Sequence, residues 1–251
     1  MAITGSGFDG TMNEAAFAKL MQLAGARYVV GGMADFAATQ VSGVRSISIS
    51  AGNAYAPGVL VTSTAAEVMA FSAPTAGQWH LIVLRRTWST NVCELVAVAG
   101  ITTANTTPTA PPTLYPTINS TPGVIDDQPL WWAWVNVSTT EVTRFDVRNP
   151  LDTGWITPTL NSGWTNTSLV YRRLNGVTYI QGRAATTGAT ATAFTLPGGF
   201  QPDATRTFLL DSTGSAVRSW VTSTGVVGQV AATAQSALDF GGCPSYIAAT
   251  A

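Results

Sequence analysis

Hydrophobic and polar residues alternate along much of this chain, in short stretches separated by turn-forming residues. Residues 46–50 read Ser-Ile-Ser-Ile-Ser, and residues 177–181 give a strand one apolar face. A period of two is typical of half-buried β-strands. Residues 79–88 are apolar on both faces and predict a central strand. We expect the next strand to end at Gly100. The pattern predicts an all-β protein.

One short segment near the N-terminus has the pattern of a helix instead. Thr11 and Glu14 fit a capping box ahead of residues 15–23, which favour a helix. Gly25 would end it. One face of this helix would be apolar, formed by Phe17, Leu20, Met21 and Ala24. The helix would either pack on its own domain or attach the chain to a larger assembly.

The C-terminal part is organised around a hairpin. Asn175 and Gly176 lie between two runs of strand-forming residues, and this pair tolerates the positive φ angles of a type I′ turn. Residues 196–199, which read Leu-Pro-Gly-Gly, then break the chain sharply. We expect a β-hairpin followed by a bend and further strands.

The length suits two small β domains, and the sequence suggests where one ends. Pro150 and Gly154 interrupt the periodicity. We expect an N-terminal domain over residues 1–149, a linker over 150–163 and a C-terminal domain over 164–251. The first should be a jelly-roll-like β-sandwich with the one short helix, and the second a β-sandwich or barrel head.

Several short motifs follow one another in the C-terminal part: a Gly-Trp start, a hairpin, a proline-glycine bend and a final strand. These motifs are Gly163-Trp164, Tyr171-Arg172-Arg173, Asn175-Gly176-Val177, Leu196-Pro197-Gly198-Gly199-Phe200-Gln201-Pro202 and Gly225-Val226-Val227. The combination resembles the C-terminal head domain of bacteriophage tail fibre and receptor-binding proteins. The resemblance implies a head that binds the host surface, and such heads are usually homotrimers.

A second, more diffuse series of motifs lies in the N-terminal part. The matching positions are Val30-Gly31-Gly32-Met33-Ala34-Asp35-Phe36, Ile49-Ser50-Ala51-Gly52-Asn53-Ala54, Val83-Leu84-Arg85-Arg86, Pro129-Leu130, Val135 and Asp146-Val147-Arg148. Their succession resembles the N-terminal domain of minor tail and baseplate-associated proteins of long-tailed phages. The resemblance implies a domain that anchors the chain to other tail or baseplate proteins.

Charge is scarce in this sequence. Charged residues make up 10% of the chain, and the formal net charge is -1. Nucleic-acid binding needs a strongly basic face, so we expect no nucleic-acid partner. The start of the chain has no signal-peptide pattern, and no run approaches the ~20 apolar residues of a membrane span. We therefore expect synthesis in the host cytoplasm and no membrane insertion, while the resemblance to phage tail proteins implies a place at the tail tip of the virion.

No residue pattern indicates a catalytic centre, a metal site or a cofactor. The only histidine, His80, lies within a strand pattern and is expected to pack there, and clusters of Cys and His are absent. Asp126 and Asp127 are the one adjacent acidic pair, and we expect them in a solvated turn. Because glycoside hydrolysis needs only two carboxylates, this activity remains an alternative. Cys93 and Cys243 would be free thiols or, in the alternative, a disulfide.

Binding is the chemistry that the residues support. Neutral saccharides stack on aromatic rings while planar polar groups satisfy their hydroxyls. The candidate saccharide-binding residues are Trp220, Arg218, Asp211, Tyr246 and Trp164. Arg218 and Trp220 fall on one face of an expected strand and would form a cradle for a sugar. The alternative is that these aromatic residues pack in a core or at a trimer axis.

The sequence therefore predicts a phage tail-tip receptor-binding protein that recognises a glycan of the host cell surface through several weakly binding copies. It would not be an enzyme. One alternative is a structural baseplate or tail-fibre component without direct receptor binding. Another is a polysaccharide-degrading tail enzyme, for which Asp126 and Asp127 would have to line a cleft. An injection device derived from a phage tail would share these features.

Overall fold

The computed structural model describes residues 13–23, 28–188, 190–212, 215–230 and 234–248. The chain divides into two compact units, Met1–Pro150 and Leu151–Ala251. Almost all regular structure is β, and the described ranges contain one short α-helix. The predicted all-β class is confirmed.

The first unit contains α1 (Glu14–Leu23) and the strands β1 (Val29–Gly32), β2 (Ala38–Gln40), β3 (Ser46–Ile49), β4 (Gly52–Ala56), β5 (Val59–Ser63), β6 (Glu67–Ala70), β7 (Gly77–Thr87), β8 (Val92–Thr103), β9 (Ser120–Thr121), β10 (Ile125–Val135) and β11 (Val142–Asp146).

The second part of the chain contains β12 (Pro150–Asp152), β13 (Trp164–Asn166), β14 (Val170–Leu174), β15 (Val177–Gln181), β16 (Arg183–Thr186), β17 (Thr192–Thr195), β18 (Arg206–Ser212), β19 (Ser215–Val221), β20 (Val226–Gln229), β21 (Gln235–Asp239), a single 3-10 turn (Phe240–Gly242) and β22 (Tyr246–Ile247).

Helix α1 starts at a side-chain cap. The Oδ1 atom of Asn13 accepts a hydrogen bond from the backbone N–H of Ala16 at 2.8 Å. This bond satisfies one of the N–H groups that the first helical turn leaves without a partner. Thr11 and Gly25, which were expected to start and stop the helix, lie outside the described residues.

The helix packs on its own unit through a small residue. Ala18 is buried, and a Cβ placed on Gly58 would lie 2.8 Å from the Cα of Ala18. The turn between β4 and β5 therefore approaches the helix backbone closely. The larger apolar residues of the helix that are exposed are Phe17, Leu20 and Leu23. Of the predicted apolar face, Phe17 and Leu20 are thus exposed and Met21 is half-buried, while Ala24 lies outside the described residues.

The main sheet of the first unit is apolar on both faces. Its antiparallel strands lie in the order β11, β10, β7, β8, and β9 pairs with β10. Ile82 and Leu84 of β7 face one core, and Trp79 and Leu81 face another. The central strand predicted for residues 79–88 is confirmed as β7. Two smaller antiparallel groups, β2-β3-β6 and β1-β4-β5, complete the strands of this unit.

Strand β8 does not end at Gly100, as the sequence suggested, but continues to Thr103. A Cβ on Gly100 would lie 3.2 Å from Cζ3 of Trp132 and 3.3 Å from Cβ of Trp79. The glycine allows the strand to pass close to two large side chains, so it marks a close approach and not a strand end.

The second unit has two groups of strands around one core. The larger is an antiparallel sheet in the order β13, β16, β21, β18, β19, β20, β17, while β14 pairs with β15 and β15 with β22. Leu210 and Val221 from the larger sheet meet Tyr171 and Ile180 from the smaller group in this core. The larger sheet therefore has one buried face and leaves the other free.

The predicted hairpin is confirmed. Asn175 and Gly176 have φ angles of 50° and 77°, and they join β14 to β15 with Leu174 opposite Val177. The proline-glycine bend then packs on the hairpin, because the rings of Tyr171 and Phe200 meet edge to face at 5.1 Å.

Residues 150–163, expected as a linker, include a segment that runs beside the hairpin. Asp152 is the pairing partner of Leu174, and Ile156 forms an isolated bridge with Tyr171. The Asp152 carboxylate also accepts from Arg172 at 2.7 Å.

Candidate binding site

The free side of the larger sheet in the second unit carries the candidate site. In β18, Leu210 and Ser212 point into the core, so the residues between them point outward; β19 follows the same alternation around Ser219 and Val221. We term this side the outer face; it includes Thr207, Leu209, Asp211, Ala216, Arg218, Trp220, Val230 and Asp239.

Three of the five predicted site residues share this face. Trp220, Arg218 and Asp211 alternate outward on β18 and β19. Trp220 lies opposite Thr207 on one side and Gly228 on the other. A Cβ on Gly228 would lie 2.8 Å from Cη2 of the Trp220 ring. The indole therefore lies across a glycine, and it remains partly exposed to solvent.

Next to the indole, the outer face combines exposed apolar and charged side chains. Arg218 lies opposite Leu209, which is 64% exposed, and beside Val230, which is 53% exposed. Asp211 lies opposite Ala216 and Asp239. Within the described ranges neither Arg218 nor Asp211 forms an ion pair, so both charged groups are available to a ligand.

The other two predicted residues lie in the core. The Nε1 of Trp164 donates to the backbone oxygen of Thr190 at 3.1 Å, and the hydroxyl of Tyr246 donates to the oxygen of Phe200 at 3.1 Å. Both residues are 7% exposed, and burial raises the pKa of Tyr246. The structure does not bring them onto the outer face.

Tyr246 instead borders a groove at the other edge of β18. Residues 203 and 205–207 line one side of this groove, and residues 244–248 line the other. Its volume is about 570 Å³, within the range of small-ligand sites. A bridge between Pro202 and Ala248 lies beside it. We term it the terminal groove.

The charges in the terminal groove are paired with each other. The Nη2 of Arg206 donates to Oδ1 of Asp203 at 2.6 Å. This hydrogen bond holds the pKa of Asp203 below its usual value. The groove therefore offers a carboxylate and a guanidinium with no net charge.

Neither Leu209 and Val230 nor the groove was predicted from the sequence. The polar Thr207 and Asp211 lie four residues apart and so share one face of a strand, which would have placed Leu209, midway between them, on the same face. The groove has no such signal, since residues 203–207 and 244–248 are distant in sequence.

Asp126 and Asp127 do not lie in a solvated turn, contrary to the expectation. They are in β10, paired with Arg86 and Arg85 of β7, and they are 0% and 1% exposed. Of the two register pairs, only Arg85 and Asp127 form an ion pair, because the Nη2 of Arg86 donates to Gln128 instead. Neither carboxylate lines a cleft, as the glycoside-hydrolase hypothesis required.

The two aspartates have different surroundings. Asp127 accepts from Nε and Nη2 of Arg85 at 2.7 and 3.0 Å and from the backbone and side chain of Asn119. Burial raises the pKa of Asp127, but these hydrogen bonds outweigh burial and hold the pKa below its usual value. Asp126 accepts from the Tyr28 hydroxyl at 2.5 Å, and burial raises the pKa of Asp126.

The remaining candidates for chemistry are structural. His80 packs with its ring 5.0 Å from that of Phe71, and burial lowers the pKa of His80. Cys93 and Cys243 are free thiols. The described residues contain no group of His, Cys, Asp and Glu able to hold a metal ion, and no helix among them is long and apolar enough to cross a membrane.

No protein-family model matches the sequence, and no curated protein matches it. Among solved structures, the chain is similar to the receptor binding protein (gp15) of Listeria phage PSA, at 17% identity and a TM-score of 0.33. The match covers 38% of this chain and 65% of that chain, which is just under two thirds of its length. A likeness at this level does not assign a function.

Proposed function

We propose that this chain is a phage tail-tip receptor-binding protein whose second unit recognises a glycan of the host cell surface on the outer face. The observation that carries the proposal is the placement of Trp220, Arg218 and Asp211 on one exposed side of a rigid sheet. The motif order in the same unit, which resembles phage receptor-binding heads, supports it independently.

The outer face has the groups that a saccharide requires. The partly exposed ring of Trp220 offers a flat apolar surface for the C–H face of a sugar. Arg218 is a planar donor and Asp211 an acceptor, so together they satisfy hydroxyl groups of either polarity. Exposed Leu209 adds apolar contact. Such a site binds weakly and selectively.

Several copies acting together would raise the apparent affinity for the host surface above that of a single site. We propose a homotrimer, as in the group that the head resembles, because linked sites raise the apparent affinity without new contacts. The first unit would attach to other tail or baseplate proteins, in line with its motif resemblance. The exposed Phe17, Leu20 and Leu23 of α1 are available for that attachment. The protein would then reside at the tail tip of the virion.

The test is binding of the fluorescently labelled full chain to candidate host cells and to their purified wall polysaccharide. Trp220→Ala should abolish saturable binding while the circular dichroism spectrum is unchanged. Trp155→Ala is the matched control, since Trp155 is also an exposed indole of the second unit but lies beside Arg172, at 5.6 Å. Light scattering on the same sample gives the copy number.

Two results would contradict the proposal. Equal loss of binding in both tryptophan variants would remove the outer face as the site. A folded protein that binds no host surface, but binds another tail protein through its first unit, would favour the structural alternative.

A further inference from the structure

The terminal groove begins where the outer face ends. Thr207 lines the groove, and it lies directly opposite Trp220 in the neighbouring strand. Adjacent strands are ~4.8 Å apart, so only β18 lies between the groove and the backbone of Trp220, while the indole extends away from the groove, over Gly228 of β20. A ligand with one ring on Trp220 would therefore cross β19 and β18 and reach the groove with a further unit of the same molecule.

The groove lining mixes hydroxyl groups with apolar surface. Thr205, Thr207 and Ser245 supply hydroxyls, and the exposed Pro244 and Ile247 supply apolar contact. Tyr246 borders the groove, but it is 7% exposed and its hydroxyl donates to the oxygen of Phe200, so it adds little surface for a ligand. Sites of this composition suit molecules that have C–H faces and many hydroxyls.

The charges of the groove indicate a neutral ligand. Asp203 and Arg206 are bonded at 2.6 Å, so the guanidinium already has an anionic partner. A phosphate or carboxylate polymer would compete with Asp203 for Arg206 and would meet a carboxylate of like charge. A sugar hydroxyl, in contrast, can donate to Asp203 and accept from Arg206 without breaking their pair.

We infer that the terminal groove is a second saccharide subsite, which takes a further neutral sugar unit of the same chain whose first unit stacks on Trp220. This inference rests on the proposed function. The preferred ligand is thus a neutral oligosaccharide of at least two units, bound across β18, in place of a single terminal sugar or a charged polymer.

The experiment measures affinity of the full-length protein by calorimetry. The probes are size-separated fragments, from one to four sugar units, of the neutral wall polysaccharide of the host, together with the anionic polymer fraction of the same wall. Thr207→Val and Ser245→Ala each remove one groove hydroxyl with little change of volume. Thr195→Val is the control, because Thr195 is an exposed threonine of β17 outside the groove.

We expect the wild type to bind fragments that span from Trp220 to the groove, of two to four units, about tenfold more tightly than one unit. Each groove variant should bind the longer fragments about two- to tenfold more weakly than the wild type does, which is the contribution of one hydrogen bond. Its affinity for a single sugar unit should not change. Trp220→Ala should weaken binding of every length, and Thr195→Val should change nothing.

Each contrary outcome has its own meaning. If both groove variants bind all lengths as the wild type does, or if the anionic fraction binds more tightly, the subsite is wrong while the outer-face proposal stands. If the wild type binds no fragment, or if Trp220→Ala binds normally, the proposed function itself fails and the subsite fails with it.

Discussion

Thr207 and Trp220 face each other across the β18–β19 pair, and Thr207 also borders the terminal groove. Directly opposed side chains on one face of an antiparallel pair are close enough to contact the same ligand. Thr207 therefore borders both the groove, whose lining is partly polar and partly apolar, and the strand pair that carries the aromatic ring. The spacing of Thr207 and Trp220 is fixed by the sheet, whereas Asp203, Pro244 and Ser245 of the groove lie in loops.

Trp220 should matter for binding much more than for stability. We expect Trp220→Ala to lower the free energy of unfolding by about 1 kcal/mol, as for a partly exposed side chain. Phe194→Ala, in the same unit, should cost about 3–5 kcal/mol because Phe194 is fully buried and leaves a cavity. Denaturant unfolding of both variants measures the difference. A similar loss in the two would show that Trp220 is a core residue.

The hairpin turn provides a second prediction. Gly176 has a φ of 77°, and nothing lies within 4 Å of a Cβ placed there. Gly176→Ala should therefore cost about 1–2 kcal/mol through backbone strain alone. Gly198→Ala is the matched control, because Gly198 also has open space around a Cβ but no positive φ. Thermal unfolding of the two variants isolates the backbone effect; equal midpoints would contradict it.

Features set by neighbouring residues were predictable from the sequence. The Asn175-Gly176 turn and the alternation of β15 are local, and both agree with the structure. The outward placement of Arg218 and Trp220 follows from the same period of two. Such patterns fix which residues share a face, but not which strands lie next to each other.

Features set by register between distant strands were not predictable. Asp126 and Asp127 looked solvated because Arg85 and Arg86 are far away in sequence, and only the β7–β10 pairing brings the four together. Trp164 and Tyr246 were predicted to bind a ligand, because the sequence does not show which aromatic residues are buried in the core. Gly100 is a similar case, since the two tryptophans that approach it closely, Trp79 and Trp132, come from β7 and β10.

The Arg85–Asp127 pair should give stability that depends on pH. The pKa of Asp127 is below its usual value in the folded protein, so its contribution is complete above the unfolded pKa of about 3.9 and is lost as the pH falls through the folded pKa. Asp127→Asn should cost about 3 kcal/mol near neutral pH, because it breaks the ion pair and leaves Glu94, opposite Arg85 in β8, as the acidic neighbour. The difference from wild type should shrink toward acid pH in denaturant titrations.

The neighbouring aspartate should show the opposite pH dependence. Burial raises the pKa of Asp126, so the folded state binds its proton more tightly than the unfolded state does. Wild-type stability relative to Asp126→Asn should therefore fall as the pH rises from about 3.9 through the raised pKa. The same titrations measure both variants. Parallel pH profiles for the two would show that the aspartates do not differ as their surroundings indicate.

The two cysteines should differ in reactivity, although both are free thiols. Thiolates and not thiols react with alkylating agents, and burial raises the pKa of Cys243 to about 12. At about pH 8 its thiolate is scarce. Burial also raises the pKa of Cys93, but Cys93 is exposed on the edge strand β8, so a reagent reaches its sulfur directly. Iodoacetamide should therefore modify Cys93 first in the native protein, and both residues in concentrated guanidinium.

Peptide mass spectrometry distinguishes the sites, and Cys93→Ser should leave the native protein almost unlabelled. Rapid labelling of Cys243 in that variant would mean that the second unit opens around the 3-10 turn and β22, and with them the side of the terminal groove that residues 244–248 form.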